Sequence, residues 1–187
     1  MNAKAHNIHM VEVVAAGLKD LLTDMVFVGG ATTTLYLSEQ ATKDVSSVRP
    51  TDDVDCVVEV ASRSDYSKFE KKVRSLGFKH VMEQGAPICR WVYSGVTVDI
   101  MPTDPKIIGF SNKWYKAGIS EAVLFKLPSG VGIRIFTVPY FLASKIDAFR
   151  DRGKNDFLGS RDFEDIITVL AGREDIRKDL FESPADV

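Results

Sequence analysis

The chain has 187 residues, enough for one compact domain with a buried core, and its 45% hydrophobic content is ordinary for a globular protein. A formal net charge of −2 excludes the overall basic character typical of many nucleic-acid binders, so such a role would rest on local clusters. No apolar run approaches the ~18 residues of a membrane span, and the N-terminus lacks a signal peptide's apolar core. The expectation is a cytoplasmic protein without membrane association.

In chain order, residues 10–22 carry apolar side chains at helical spacing (Met10, Val13, Val14, Leu18, Leu21, Leu22) and predict a helix. Residues 25–28 read as a short apolar strand halted by Gly29-Gly30, after which 31–38 resume a helical pattern. Residues 53–60 alternate: Val54, Cys56, Val58 and Val60 face one way, Asp53, Asp55 and Glu59 the other. A charged amphipathic helix is expected over 64–76, ending at Gly77. Strands at 88–93 and 96–101 bracket Ser94-Gly95 as a tight hairpin, and 122–127 and 131–136 form a second around Pro128-Ser129-Gly130. Beyond Pro139 the pattern is helical over 140–152, 161–171 and 174–181. This gives an α/β core with a mixed sheet over 1–138 and a helical C-terminal part over 139–187. Cys56 and Cys89 lie in apolar strand-like runs and read as a reduced, buried pair. His6, His9 and His80 have no ligand-like companions.

Asp53 and Asp55, two apart on a strand, project from one face and form a platform for a hard divalent cation such as Mg²⁺. Asp99 sits on the non-core face of the 96–101 strand. If that strand pairs beside 53–60, Asp99 joins the cluster as a third ligand and the natural general base for an attacking hydroxyl. A solvated turn at Thr51-Asp52-Asp53 is the plainer alternative. Upstream, a strand, Gly29-Gly30 and then a helix is a phosphate-binding geometry, with Thr32, Thr33 and Thr34 as hydroxyl donors.

The segment Val28-Gly29-Gly30, followed by Arg49-Pro50-Thr51-Asp52-Asp53-Val54-Asp55, resembles the signature of the polymerase β-like nucleotidyltransferase superfamily. The resemblance is closer to the AbiEii/AbiGii toxin-like nucleotidyltransferases of toxin–antitoxin and phage-defence systems. It extends through Val98-Asp99-Ile100-Met101-Pro102 and Lys145-Ile146-Asp147-Ala148-Phe149-Arg150 to Arg161-Asp162-Phe163-Glu164-Asp165-Ile166. It implies a polymerase β-like core followed by helices, a nucleoside triphosphate substrate, Mg²⁺ or Mn²⁺, transfer to an acceptor such as a tRNA 3′ end, and a cognate antitoxin. By motif position it places Gly29, Gly30, Thr51 and Lys145 on the triphosphate, with Thr32 a further candidate. Asp53 and Asp55 fall on the metal, and Asp162 completes the site. The chain departs from the family in lacking a serine directly after the glycine turn.

Read from the residues alone, Lys145 sits within an apolar stripe beside Phe141 and Phe149, so it must either snorkel out or meet an anion, the triphosphate or Asp162 or Asp165. Asp162 has an alternative as a helix N-cap. Two basic sets could meet RNA phosphates: Arg150, Arg152, Lys154 and Arg161, or Lys68, Lys71, Lys72, Arg74 and Lys79. Trp114 and Tyr115 are candidates for stacking a base. A small-molecule or protein hydroxyl acceptor, or a non-catalytic nucleotide-binding module, are the competing readings.

Overall fold

The computed structural model describes residues 2–41, 48–185 and 187. Its strands are β1 (Met25–Val28), β2 (Asp53–Val58), β3 (Lys79–His80), β4 (Arg90–Tyr93), β5 (Val96–Pro102), β6 (Val123–Lys126) and β7 (Gly132–Ile135). They form one mixed sheet in the order β3-β4-β5-β2-β1-β7-β6. β2 runs antiparallel to β1 and parallel to β5, so the expected placement of the 96–101 strand beside the acidic strand is what forms. Both expected hairpins are present, and the β4–β5 turn has Ser94 and Gly95 at φ 47° and 82°, the two positive angles that a two-residue turn matching strand twist needs.

The alternation of β2 and β5 explains the core. Val54, Cys56, Val98 and Ile100 are buried, and apolar side chains from β1 (Met25, Val26, Phe27 and Val28) and β7 (Ile133 and Ile135) complete the sheet's interior. Cys56 and Cys89 are both buried and free.

Helix α1 spans Ala3–Leu18, beginning well before the expected residue 10 because Asn2 caps it, its side chain accepting from the Ala5 N–H at 2.8 Å. It passes into a 3-10 turn at Lys19–Asp24. Helix α2 (Arg63–Ser75) starts at Ser62, whose hydroxyl accepts from the Asp65 N–H, and buries Tyr66, Phe69 and Val73 at helical spacing. Two short helices escaped the sequence reading, α3 (Pro105–Ile108) and α4 (Tyr115–Ser120). The C-terminal helices are α5 (Val138–Arg152), α6 (Arg161–Gly172) and α7 (Ile176–Phe181). None of the described helices is long and apolar enough to cross a membrane.

The segment after the glycine pair differs from expectation. Gly30–Tyr36 is a 3-10 helix, buried throughout. Three consecutive β-branched threonines fit a short, tight helix better than an α-helix.

Candidate active site

Asp53, Asp55 and Asp99 share one face of the paired strands. The parallel register sets Asp55 opposite Asp99 and Asp53 opposite Thr97. They line a cavity of about 1170 Å³, to which Gly29, Gly30, Thr51, Lys145, Arg152 and Asp162 also contribute. That exceeds the roughly 300–1,000 Å³ of a small-ligand site, which leaves room for two reactants.

The glycines are explained by close approach. Gly29, at φ 74°, packs against Asp55 so tightly that a Cβ there would overlap the carboxylate. A Cβ on Gly30 would lie 2.8 Å from Arg49 Nη2. Thr51 Oγ1 reaches the Asp53 carboxylate at 3.3 Å. The loop carrying Arg49 and Thr51 is fastened by α1: the buried Asn7 amide donates to the Arg49 carbonyl at 3.0 Å, and its oxygen accepts from the Thr51 N–H at 3.1 Å. Thr32 does not reach the cavity. Its hydroxyl donates to the Gly29 carbonyl at 2.9 Å, so it braces the turn, and the Thr33 and Thr34 hydroxyls are buried without a partner among the described residues.

The acidic face holds an unexpected cation. Arg90 donates to both Asp99 oxygens, Nε at 2.9 Å and Nη2 at 2.7 Å, and Nη2 also reaches Asp53 at 3.4 Å. Asp55 is left without such a partner. Burial first, then the charges of Asp53 and Asp99, push its carboxyl up to about 7, against the opposing pull of Lys145. An all-oxygen donor set under mutual repulsion suits a hard divalent cation. Among the described residues no three acidic, histidine or cysteine side chains converge closely enough to enclose one, and Asp53 and Asp99 are turned to Arg90. A cation held on these carboxylates would have to displace the guanidinium.

The same cavity is also bordered by a chain of alternating charges. Arg49 Nη2 meets Asp165 at 3.0 Å, Asp165 meets Lys145 Nζ at 2.6 Å, and Lys145 meets Asp162 at 3.1 Å. Asp162 also accepts two bonds from Arg152, at 2.8 and 3.0 Å. Lys145 therefore pairs with both candidate carboxylates while still lining the cavity. Burial alone would raise the Asp162 carboxyl, but bonds and charge from Arg152 and Lys145 hold it below the ordinary range. The N-cap alternative for Asp162 is corrected: Ser160 caps α6, accepting from the Phe163 N–H.

Arg152 and Arg161 of the first basic set line the cavity, whereas none of the second set does. Trp114 packs edge-on to Tyr140 and does not line the cavity, whereas Tyr115 lines it while lying against Phe136 with its hydroxyl near the Met101 sulfur. Asn7, Arg49, Arg90 and Asp165 were not singled out as site residues from sequence. Only Arg49, inside the quoted motif, and Asp165, as a lysine partner, left a signal there.

Neither a protein-family model nor a curated protein sequence matches the chain. Among solved structures it is similar to the crystal structure of an antigenic nucleotidyltransferase-like protein from Paracoccidioides brasiliensis, with a TM-score of 0.56 and 21% identity over 91% of this chain and 78% of that one. The fold is therefore nucleotidyltransferase-like, a mixed α/β sheet followed by C-terminal helices.

Proposed function

We propose that the chain transfers a nucleotide from a nucleoside triphosphate to an acceptor hydroxyl. The observation that carries this reading is that one cavity is lined both by Asp53, Asp55 and Asp99 and by Arg49, Lys145 and Arg152. The triphosphate lies along Gly29, Gly30 and Thr51, with Lys145 and Arg152 meeting its negative charge. Mg²⁺ or Mn²⁺ on Asp53, Asp55 and Asp99 would supply charge neutralisation at the reacting phosphate. The acceptor oxygen bonds to the α-phosphorus, the bond to the bridging oxygen of the β-phosphate breaks, and pyrophosphate leaves against Arg152. Asp99 takes the hydroxyl proton once Arg90 releases it.

The acceptor we propose is an RNA end such as the tRNA 3′ terminus, in a toxin held by an antitoxin. Support comes from the sequence resemblance and from Arg150, Arg152, Lys154 and Arg161 around the α5–α6 connection. A small hydroxyl compound is the second reading, favoured by Asp147 and Asp151, which line the cavity one helical turn apart and would repel RNA phosphates. The test is label transfer from each of the four α-labelled nucleotides to total tRNA. Labelled tRNA is expected with wild type and not with Asp53→Ala. Absence of label on tRNA and on small hydroxyl compounds alike would refute transfer.

Arg90→Ala is expected to tighten Mn²⁺ binding several-fold, because a competing charge is removed from two carboxylates. Titration followed by electron paramagnetic resonance reads this directly. Weaker binding would mean that the guanidinium holds the carboxylates in place for the ion.

A further inference from the structure

We propose that Phe110 is the platform on which the base of the bound nucleoside triphosphate stacks, an inference that rests on the nucleotidyl-transfer reading. Single exposed apolar side chains are common and mean little alone. Phe110, however, is 45% exposed and is the one large exposed apolar side chain, among the described residues, that lines the main cavity. It lies outside the hydrophobic core and makes no ring–ring contact with another described aromatic residue.

The strap that carries the ring is fastened on both sides. Gly109, at φ 93°, ends α3 in a left-handed turn and donates to the Pro105 carbonyl at 2.7 Å. The Ser111 hydroxyl donates to the Thr103 carbonyl at 2.9 Å. The Asn112 amide donates to the Ser144 carbonyl at 2.9 Å, and its oxygen accepts from the Trp114 N–H at 3.0 Å. These side-chain polar groups hold the loop, so the ring is what the strap offers to the cavity.

The Asn112–Ser144 bond ties the strap to the helix that carries Lys145. Ser144 directly precedes Lys145, the cation placed on the triphosphate, and Phe110 and Lys145 line the same cavity. A molecule bearing both a flat base and a phosphate chain would meet both. Every base has a π-face, so stacking on a lone ring holds a base without selecting among the four.

The experiment is calorimetric titration of the full chain with ATP and with inorganic tripolyphosphate, each with Mg²⁺, for wild type, Phe110→Ala and Phe110→Trp. Phe110→Ala is expected to weaken ATP about tenfold, leave tripolyphosphate unchanged and melt at the wild-type temperature, with Phe110→Trp restoring ATP affinity. Equal losses for both ligands, or no loss for ATP, would overturn the proposal. So would unchanged ATP affinity with weakened acceptor use, which would put the ring on the acceptor. A wild type that binds neither ligand would instead overturn the nucleotidyl-transfer reading on which the proposal stands.

Discussion

Asp55→Asn is expected to lower nucleotide transfer by about a hundredfold or more while making the metal-free protein more stable at pH 8. The two effects share one cause. Asp55 sits deep in the cavity against Gly29, with Asp53 and Asp99 beside it, and its carboxyl is pushed up to about 7. Its folded-state value lies above the unfolded one, so the native state holds the extra proton between about pH 4 and pH 7. Stability contributed by the neutral form is lost as pH rises through that window, and the deficit persists above it. Asparagine keeps the shape and removes the charge. The gain at pH 8 should be on the order of 2 kcal/mol, less than the whole shift implies because the side chain is partly open to the cavity. At pH 4 the two proteins should melt alike. Urea denaturation in the presence of a chelator checks this, and equal stability at pH 8 would mean that Asp55 is not under repulsion. Added Mg²⁺ should then stabilise wild type and leave Asp55→Asn little changed.

What could be read from sequence here is what repeats locally. The alternation of Asp53-Val54-Asp55-Cys56 shows which side chains share a face, and Ser94-Gly95 marks its turn, because period and turn chemistry are short-range properties. The acidic trio needed only one assumption, that the strand bearing Asp99 pairs beside β2, and the register supplies it. Arg90 escaped because a lone arginine at a strand start gives no sign that it will reach across to Asp53, 37 positions away. Asn7 escaped because its partners, Arg49 and Thr51, lie more than forty residues downstream, and its burial interrupts no apolar pattern. The two residues of β3 and the four of α3 are too few to show a period. Thr32 misled for a different reason. Its hydroxyl suits a phosphate in composition, but the tight 3-10 turn directs it back to the Gly29 carbonyl. Phe110 gives no local sign of its place because the strap that sets it at the cavity is held by partners at Thr103 and Ser144, the latter far along the chain.

Lys145→Met is the change that most tests how far the site doubles as structure. Lys145 is 7% exposed, and its ammonium lies between Asp162 and Asp165, themselves 5% and 2% exposed. Methionine fills the volume but leaves two buried carboxylates short of a counter-charge, a defect that costs roughly 3–5 kcal/mol when a buried pair loses one partner outright. Here each acid keeps another cation, Arg152 for Asp162 and Arg49 for Asp165, so the expected loss is about 2–3 kcal/mol, or a melting point lower by about 4–12 °C. Because Asp162 is held below its ordinary value, its share of this stability is present above about pH 4 and is lost as pH falls through its native value. Transfer should fall by about a hundredfold or more, since the proposed reaction loses the cation it sets against the triphosphate at that point. The double variant Lys145→Met with Asp165→Asn separates the two roles. Removing one stranded carboxylate should recover part of the lost melting temperature without recovering transfer. Recovery of both would show that Lys145 acts only by holding α5 and α6 together, and the phosphate contact would then fall to Arg152.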